Sequence, residues 1–294
     1  MLCSIVAVGA ALLLPPAPVL VFGPGSNELR LLAAKLASRA GYEAAVYSPD
    51  ARTARSWRRL LYGVAEDADV DGRARVLVGT DELGVALQSA EALCLVCDSA
   101  PLPNGSTEVL LKNAPQLKRC VLLSKMGVTR ARPAGPFGVG GEGATLLENE
   151  RSVRAALDAR GVELSIVRVG VLKGGGPGGE QGAFREGDAE LGLSRPYIDS
   201  IAELETYLTT QSYDRFTLGA KCMAGDPVDL PNVFMCAAQR GSFEPRDHET
   251  SRTVAAAAAV HAIRHPSTVE VTVGAAKADA LPTIDEWATM FDML

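Results

Sequence analysis

The residues best placed to do chemistry lie in Val19-Leu-Val-Phe-Gly-Pro-Gly-Ser-Asn-Glu28, an apolar run, a glycine turn and the start of an amphipathic segment. In such a strand, turn and helix the first glycine makes the tight turn and the second lets backbone approach a pyrophosphate. The free N–H groups and positive dipole end of the helix favour an anion there. Gly23, Gly25, Ser26 and Asn27 are therefore candidate dinucleotide contacts. The pattern is incomplete. In G-x-G-x-x-G spacing the third glycine falls on Glu28, a carboxylate beside the expected phosphate, and in G-x-x-G-x-x-G spacing Ser26 and Leu29 replace two glycines. Pro24 also removes a backbone donor. A nucleotide turn and a merely structural βα turn both stay open. About 25 residues beyond Gly23 the next apolar run ends at Tyr47-Ser48-Pro49-Asp50-Ala51-Arg52, where an adenosine ribose would be read. An acidic residue at the strand end would suit a free 2′-hydroxyl; Ser48 with Arg52 suits a 2′-phosphate, which favours NADP over NAD, with solvated loop residues as the plain alternative.

Other reactive types point to packing. Cys94 and Cys97 have redox-motif spacing, but residues three apart on a strand point to opposite faces, which favours neither a disulfide nor a shared metal. His261 and His265 are an i, i+4 pair, yet no Asp, Glu or Cys joins them at metal-ligand spacing and Pro266 ends the helix. Arg55-Ser-Trp-Arg-Arg59 reads as a solvated helix face or the rim of a phosphate site. No Gly-x-Ser-x-Gly elbow supplies a hydrolase nucleophile.

The elements that must position these residues alternate. Candidate strands are Val19–Phe22, Glu43–Tyr47, Arg75–Gly79, Ala92–Cys97, Lys118–Ser124, Glu163–Val167 and Thr268–Val273, whose near-continuous apolar character fits burial on both faces. Between them, helical periodicity runs over about Glu28–Arg39, Thr53–Val64, Glu82–Ser89, Thr107–Asn113 and Ala144–Arg160. This predicts βαβ units, a doubly wound and mostly parallel α/β sheet. The stretch 173–245, with Lys173-Gly-Gly-Gly-Pro-Gly-Gly179 at its start, is expected to form a small cap over the strand ends. Ser251–Arg264, with its run of five alanines, reads as a helix packed through small side chains, and Thr283-Ile-Asp-Glu286 as the capping box of a last helix.

Lys+Arg 29 against Asp+Glu 35 gives a net charge of −6, which disfavours nucleic acid or an anionic membrane as partner. At 47% hydrophobic and 22% charged residues, 294 residues can bury a core, and the range 19–294 reads as a single domain. Six cysteines are too few for a disulfide scaffold and read as reduced thiols. Residues 1–18 form an apolar leader, too short to span a bilayer at about 20 residues, that reads either as a targeting segment or as an element packed on the fold.

The chain resembles the atypical and extended short-chain dehydrogenase/reductases, in particular their NmrA-like, NAD(P)-binding, Rossmann-fold branch. The likeness runs from about Val19 to Val171 and resumes near Ser251. Val78-Gly-Thr-Asp-Glu-Leu83 resembles the third-strand segment, with Thr80 where an acidic residue approaches the adenine. Lys118-Arg-Cys-Val-Leu-Leu-Ser124 is similar to the fifth strand and puts Ser124 at the active-site serine, and Gly161-Val-Glu-Leu-Ser-Ile-Val-Arg168 resembles the sixth. The resemblance implies a dinucleotide set of Gly23, Gly25, Ser26, Asn27, Ser48, Arg52, Thr80, Ser99, Ser124 and Arg168. With the apolar leader, the family's frequent residence in plastids points to that organelle, the cytoplasm being the alternative.

One departure is chemical. Family enzymes transfer a proton from a tyrosine whose pKa a lysine four residues later lowers. None of the tyrosines here has such a lysine, and Leu146 and Glu150 fall nearest the two positions. A leucine transfers no proton, and a glutamate raises a neighbouring phenol's pKa. Ser124 and Lys125 are the remaining weak catalytic candidates. The expectation is an NAD(P)-binding-fold protein without the usual pair, serving as an auxiliary, regulatory or assembly component with a dinucleotide and a larger protein complex as partners. The alternatives are an NADPH-dependent reductase or isomerase of a small carbonyl compound, and a degenerate scaffold that binds no nucleotide.

Overall fold

Apolar runs without polar alternation must be covered on both faces, and these form the middle of one sheet. In chain order the first elements are β1 (Pro18–Phe22), α1 (Asn27–Arg39), β2 (Glu43–Ser48), α2 (Ala51–Tyr62), β3 (Arg75–Val78), α3 (Gly79–Ser89), β4 (Ala92–Val96), α4 (Ser106–Asn113), β5 (Arg119–Lys125), α5 (Glu142–Asp158) and β6 (Glu163–Val169). Then come β7 (Val171–Lys173), β8 (Pro177–Gly178), β9 (Leu193–Ser194), β10 (Gly219–Ala224), β11 (Glu249–Ser251), α6 (Arg252–Arg264), β12 (Glu270–Ala276) and α7 (Ile284–Asp292). The computed structural model describes residues 17–62, 74–131, 141–175, 177–178, 193–194, 212–229 and 245–294. The leader, apart from Ala17 and Pro18, and much of the 173–245 stretch lie outside the described residues.

The main sheet has eight strands in the order β3-β2-β1-β4-β5-β6-β12-β10, parallel throughout except for β10, which runs antiparallel to β12. The order reverses between β1 and β4, and at that switch point the crevice beyond the strand ends is where open α/β sheets bind ligands. One face is covered by α1, α2, α6 and α7, the other by α3, α4 and α5, and each makes its own apolar layer. The chain is thus an α/β protein with a large, mostly parallel, Rossmann-like sheet. Two short parallel pairs, β7 with β11 and β8 with β9, stand outside it.

The alanine run of α6 is buried, and with Val254 it lies against Ala33, Ala34 and Ala37 of α1. Small side chains on both helices let their axes come close, and the N-termini of both sit at the ligand end of the sheet. At α7 the capping box is formed, Thr283 accepting from the Glu286 N–H at 3.3 Å while Glu286 accepts from the Thr283 N–H at 2.7 Å. Two elements differ from expectation. Helix α3 starts at Gly79 rather than Glu82, because the Glu82 carboxylate accepts the Val78 N–H at 2.8 Å and so serves the start of the helix from its first turn. Strand β10, from within the 173–245 stretch, joins the sheet edge; its Gly-Ala-Lys-Cys-Met-Ala sequence lacks the β-branched run of a central strand, as an edge strand allows.

Candidate functional site

The glycine turn sits at the switch point, and its two glycines are explained by β4. Gly23 has φ +139°, a conformation side chains rarely adopt, and a Cβ there would lie 2.8 Å from the Val96 nitrogen. A Cβ on Gly25 would lie 2.7 Å from the Val96 carbonyl oxygen and collide with a carboxylate oxygen of Asp98. The turn is pressed on the end of β4 too closely for any side chain. Its donors are spent accordingly: the Gly25 N–H donates to Val96 O at 2.9 Å, the Ser26 N–H to Asp98 Oδ1 at 2.9 Å, and the Leu29 N–H to the N-cap Ser26 Oγ at 3.3 Å. At the mouth of α1 the Asn27 and Glu28 N–H groups make no hydrogen bond among the described residues.

Asp98, which no sequence motif flagged, is the centre of this cluster. Its carboxylate is 8% exposed, and burial pushes its pKa up while the Ser26 N–H and the charge of Arg252 pull the other way. Arg30 of α1 and Arg252 of α6 both feel or exert charge on it. Burial lowers the Arg30 pKa against the opposing pull of Asp98 and Glu28, and its guanidinium lies 4.9 Å from the Trp57 ring centre. Arg252 donates to the Gly174 carbonyl. The Nε atoms of both arginines are buried without a hydrogen-bond partner. Two guanidiniums with unmet donors and two bare helix N–H groups would suit a phosphate. The place is nevertheless held by a carboxylate: a pyrophosphate and Asp98 cannot both take the Ser26 N–H. As arranged here, the cradle does not fit the dinucleotide that the fold implies.

The other expected cofactor residues are scattered along the same edge. Ser48, at the end of β2, is fully buried and donates to Asp50 O at 3.0 Å, while Arg52 is exposed on the first turn of α2. Asp50 caps that helix, accepting the Thr53 N–H at 2.9 Å and its hydroxyl at 2.8 Å, and these two bonds hold its carboxyl below the usual range. Thr80 and Ser99 are exposed. Ser99 follows Asp98 directly and so stands beside the turn, whereas Thr80 lies on α3 beyond β3 at the edge of the sheet.

The neighbouring strands carry the two expected catalytic candidates. Ser124 is buried at the end of β5, and the Lys125 ammonium bonds Glu142 at 2.7 Å. Leu146 is buried on α5. One turn on, Glu150 receives Arg168 of β6 through two bonds, Nε to Oε1 at 3.0 Å and Nη2 to Oε2 at 2.7 Å, with both side chains 4% exposed. Burial opposes the Arg168 charge, but the Glu150 bonds and charge, with Glu270 3.4 Å away, hold its pKa above the usual value. Arg168 is therefore committed to an internal pair. Among the described residues a buried phenol, Tyr213, in a helical turn over 212–216, donates to Glu249 of β11. Burial and then Glu249 raise its pKa, the opposite of what an acid–base tyrosine needs.

The remaining reactive groups pack as their spacing suggested. Cys94 belongs to the α1 and α6 side of the sheet and Cys97 to the other, both as free thiols. His261 stacks on Trp287 at 5.5 Å and His265 bonds Asp292 at 3.1 Å. Trp57 of the basic patch is buried. Among the described residues no group of three or more His, Cys, Asp or Glu could hold a metal, and no helix is long and apolar enough to cross a membrane.

No sequence-family profile and no curated protein matches the chain. Solved structures do. Gre2 from Candida albicans superposes with a TM-score of 0.52 at 9% identity, covering 92% of this chain and 80% of Gre2; its complex with NADPH gives 0.50 at 9% identity, with 89% and 80% covered. ChuY, an anaerobillin reductase from Escherichia coli O157:H7, gives 0.46 at 12% identity over 91% of this chain and all 100% of ChuY. The likeness is one of fold: the chain shares with Gre2 a Rossmann-like, mostly parallel α/β sheet.

Proposed function

We propose that the chain is a non-catalytic protein of this fold, an auxiliary, regulatory or assembly component that works through protein contacts in a larger complex. One observation carries the reading: where fold members place the tyrosine and lysine of proton transfer, this chain has buried Leu146 and a Glu150 carboxylate already neutralised by Arg168. Neither can exchange a proton with a substrate oxygen. The reductase alternative is left with Ser124, which is buried, and Lys125, which is tied to Glu142. A nicotinamide dinucleotide is the ligand class implied by the fold, NADP ahead of NAD because Ser48 and Arg52 stand at the end of β2. To enter the α1 mouth it must first displace Asp98 from the Ser26 N–H, and it would then be held without being consumed.

A second reading, a scaffold that binds no nucleotide, is favoured by one specific feature, the Asp98 carboxylate at the mouth of α1. The apolar leader supports residence in the plastid over the cytoplasm, and a fluorescent fusion with and without residues 1–18 tests it. For the main reading, the purified protein is assayed for NADPH and NADH oxidation against a panel of aldehydes, ketones and quinones. The expected result is no substrate-dependent rate; a saturable rate lost on heat denaturation overturns the non-catalytic assignment.

A further inference from the structure

We infer that Asp98 is an internal stand-in for a phosphate at the mouth of α1, and that this carboxylate, more than the missing third glycine, sets the chain's affinity for a dinucleotide. Three observations meet there. The acceptor that takes the Ser26 N–H is a side chain just past the end of β4, 72 residues away in sequence, at the helix mouth a pyrophosphate would use. Around it the donors exceed the acceptors: the Asn27 and Glu28 N–H groups make no bond among the described residues, and the buried Nε atoms of Arg30 and Arg252 have no partner. The glycines are already as close to β4 as backbone allows, which leaves the exposed Pro24 as the one side chain between them. An incoming phosphate therefore meets one obstacle of charge and occupancy. Glu28, on the first turn of α1, adds a second carboxylate, but it is less buried and takes none of these N–H groups.

The inference rests on reading the α1 mouth as the fold's nucleotide cradle and is independent of whether the protein turns over a substrate. Removing the charge, removing the acceptor and protonating it should act in the same direction. Asp98→Asn keeps an oxygen that can accept the Ser26 N–H but carries no charge, and Asp98→Ala also releases that N–H. The groups facing Asp98 are Glu28 and Arg30 from α1 and Arg252 from α6. Glu28 is the one other carboxyl group among them, so Glu28→Gln is the control.

The test is a titration of NADPH against the whole protein and the three variants, read by cofactor fluorescence and by thermal shift, with circular dichroism confirming that each variant is folded. The expected result is at least a tenfold tighter Kd for Asp98→Asn, and a further gain for Asp98→Ala. Because burial raises the Asp98 pKa, the native protein should bind more tightly as pH is lowered, and Glu28→Gln should keep that pH response while Asp98→Asn flattens it. If Asp98→Ala does not fold, Asp98→Asn carries the comparison. Equal or weaker binding by the Asp98 variants overturns the inference while leaving the cradle in place. No binding by any form at millimolar NADPH overturns the inference and the cradle together. Substrate-dependent NADPH oxidation would instead count against the proposed function alone.

Discussion

Removing one partner of the buried Glu150–Arg168 pair should be strongly destabilising. Both side chains are 4% exposed and joined by two bonds of 3.0 and 2.7 Å, so Arg168→Ala leaves a buried carboxylate that has lost its guanidinium. Breaking such a pair from one side costs about 3–5 kcal/mol, whereas replacing both partners by apolar residues of similar volume is often neutral. In a domain of this size each kcal/mol moves the unfolding midpoint by about 2–4 °C, so the expected fall is roughly 10 °C. Glu150→Ala should cost less than Arg168→Ala, because Arg168 keeps Glu270 at 3.4 Å. The double change Glu150→Leu with Arg168→Met should recover most of the loss, in a layer already lined by Val153 of α5 and Ile166 of the same strand as Arg168. Urea unfolding of the four proteins measures this directly. A single-variant cost below about 1 kcal/mol, or a double variant no better than the two losses added, would refute the assignment of these residues as a mutually dependent buried pair.

Three further outcomes follow from the geometry. Gly25→Ala should destabilise the protein by about 1–3 kcal/mol with no ligand present, because its Cβ has to push Val96 and Asp98 aside; an unchanged urea midpoint would show that the turn can relax. Cys94 and Cys97, whose thiols burial pushes up to about 12, and Cys120, raised well above its ordinary value, should resist iodoacetamide in the native protein at about pH 8; mass spectrometry should find them labelled only after unfolding. His261 is lowered to about 4 by burial and by Arg264, so it stays neutral in the folded chain while the unfolded chain takes a proton below about 6.5. Its contribution to stability is complete above 6.5 and is lost as pH falls towards 4, and His261→Gln should show a smaller drop in midpoint between pH 7 and 4 than the native protein.

The sheet was legible because its central strands are apolar on both faces, a pattern that survives without any partner information. Val19–Phe22, Ala92–Cys97 and Glu163–Val167 each fall within two residues of the strand found. The separation of Cys94 from Cys97 followed from strand geometry alone and holds in the two apolar layers. The site was less legible, for a physical reason. Asp98 acts on Ser26 only because β1 and β4 are neighbours with Phe22 opposite Leu95, a register that local periodicity does not encode. A carboxylate two residues past the end of the fourth strand was the available signal, and it has force only once the strand order is granted. Similarly, Arg168 reads as a cofactor contact from its place on β6, yet a glutamate on α5 claims it. Gly25 shows the same limit: a glycine that admits a ligand and one that admits a neighbouring strand look identical in sequence.

The alanine seam between α1 and α6 bears on how the chain is made. Helix α1 ends at Arg39 and its partner begins at Arg252, so the N-terminal unit cannot bury its Ala33 and Ala37 face until nearly the whole polypeptide exists. Closing contacts across such a distance is slow, and unpaired apolar surface in the interval invites capture by chaperones or self-association. The mouth of α1, where Ser26, Asp98 and Arg252 come together, is therefore among the last features to form during synthesis. A chain cut short before residue 252 would carry every residue of the glycine turn and still lack the surface that shapes it.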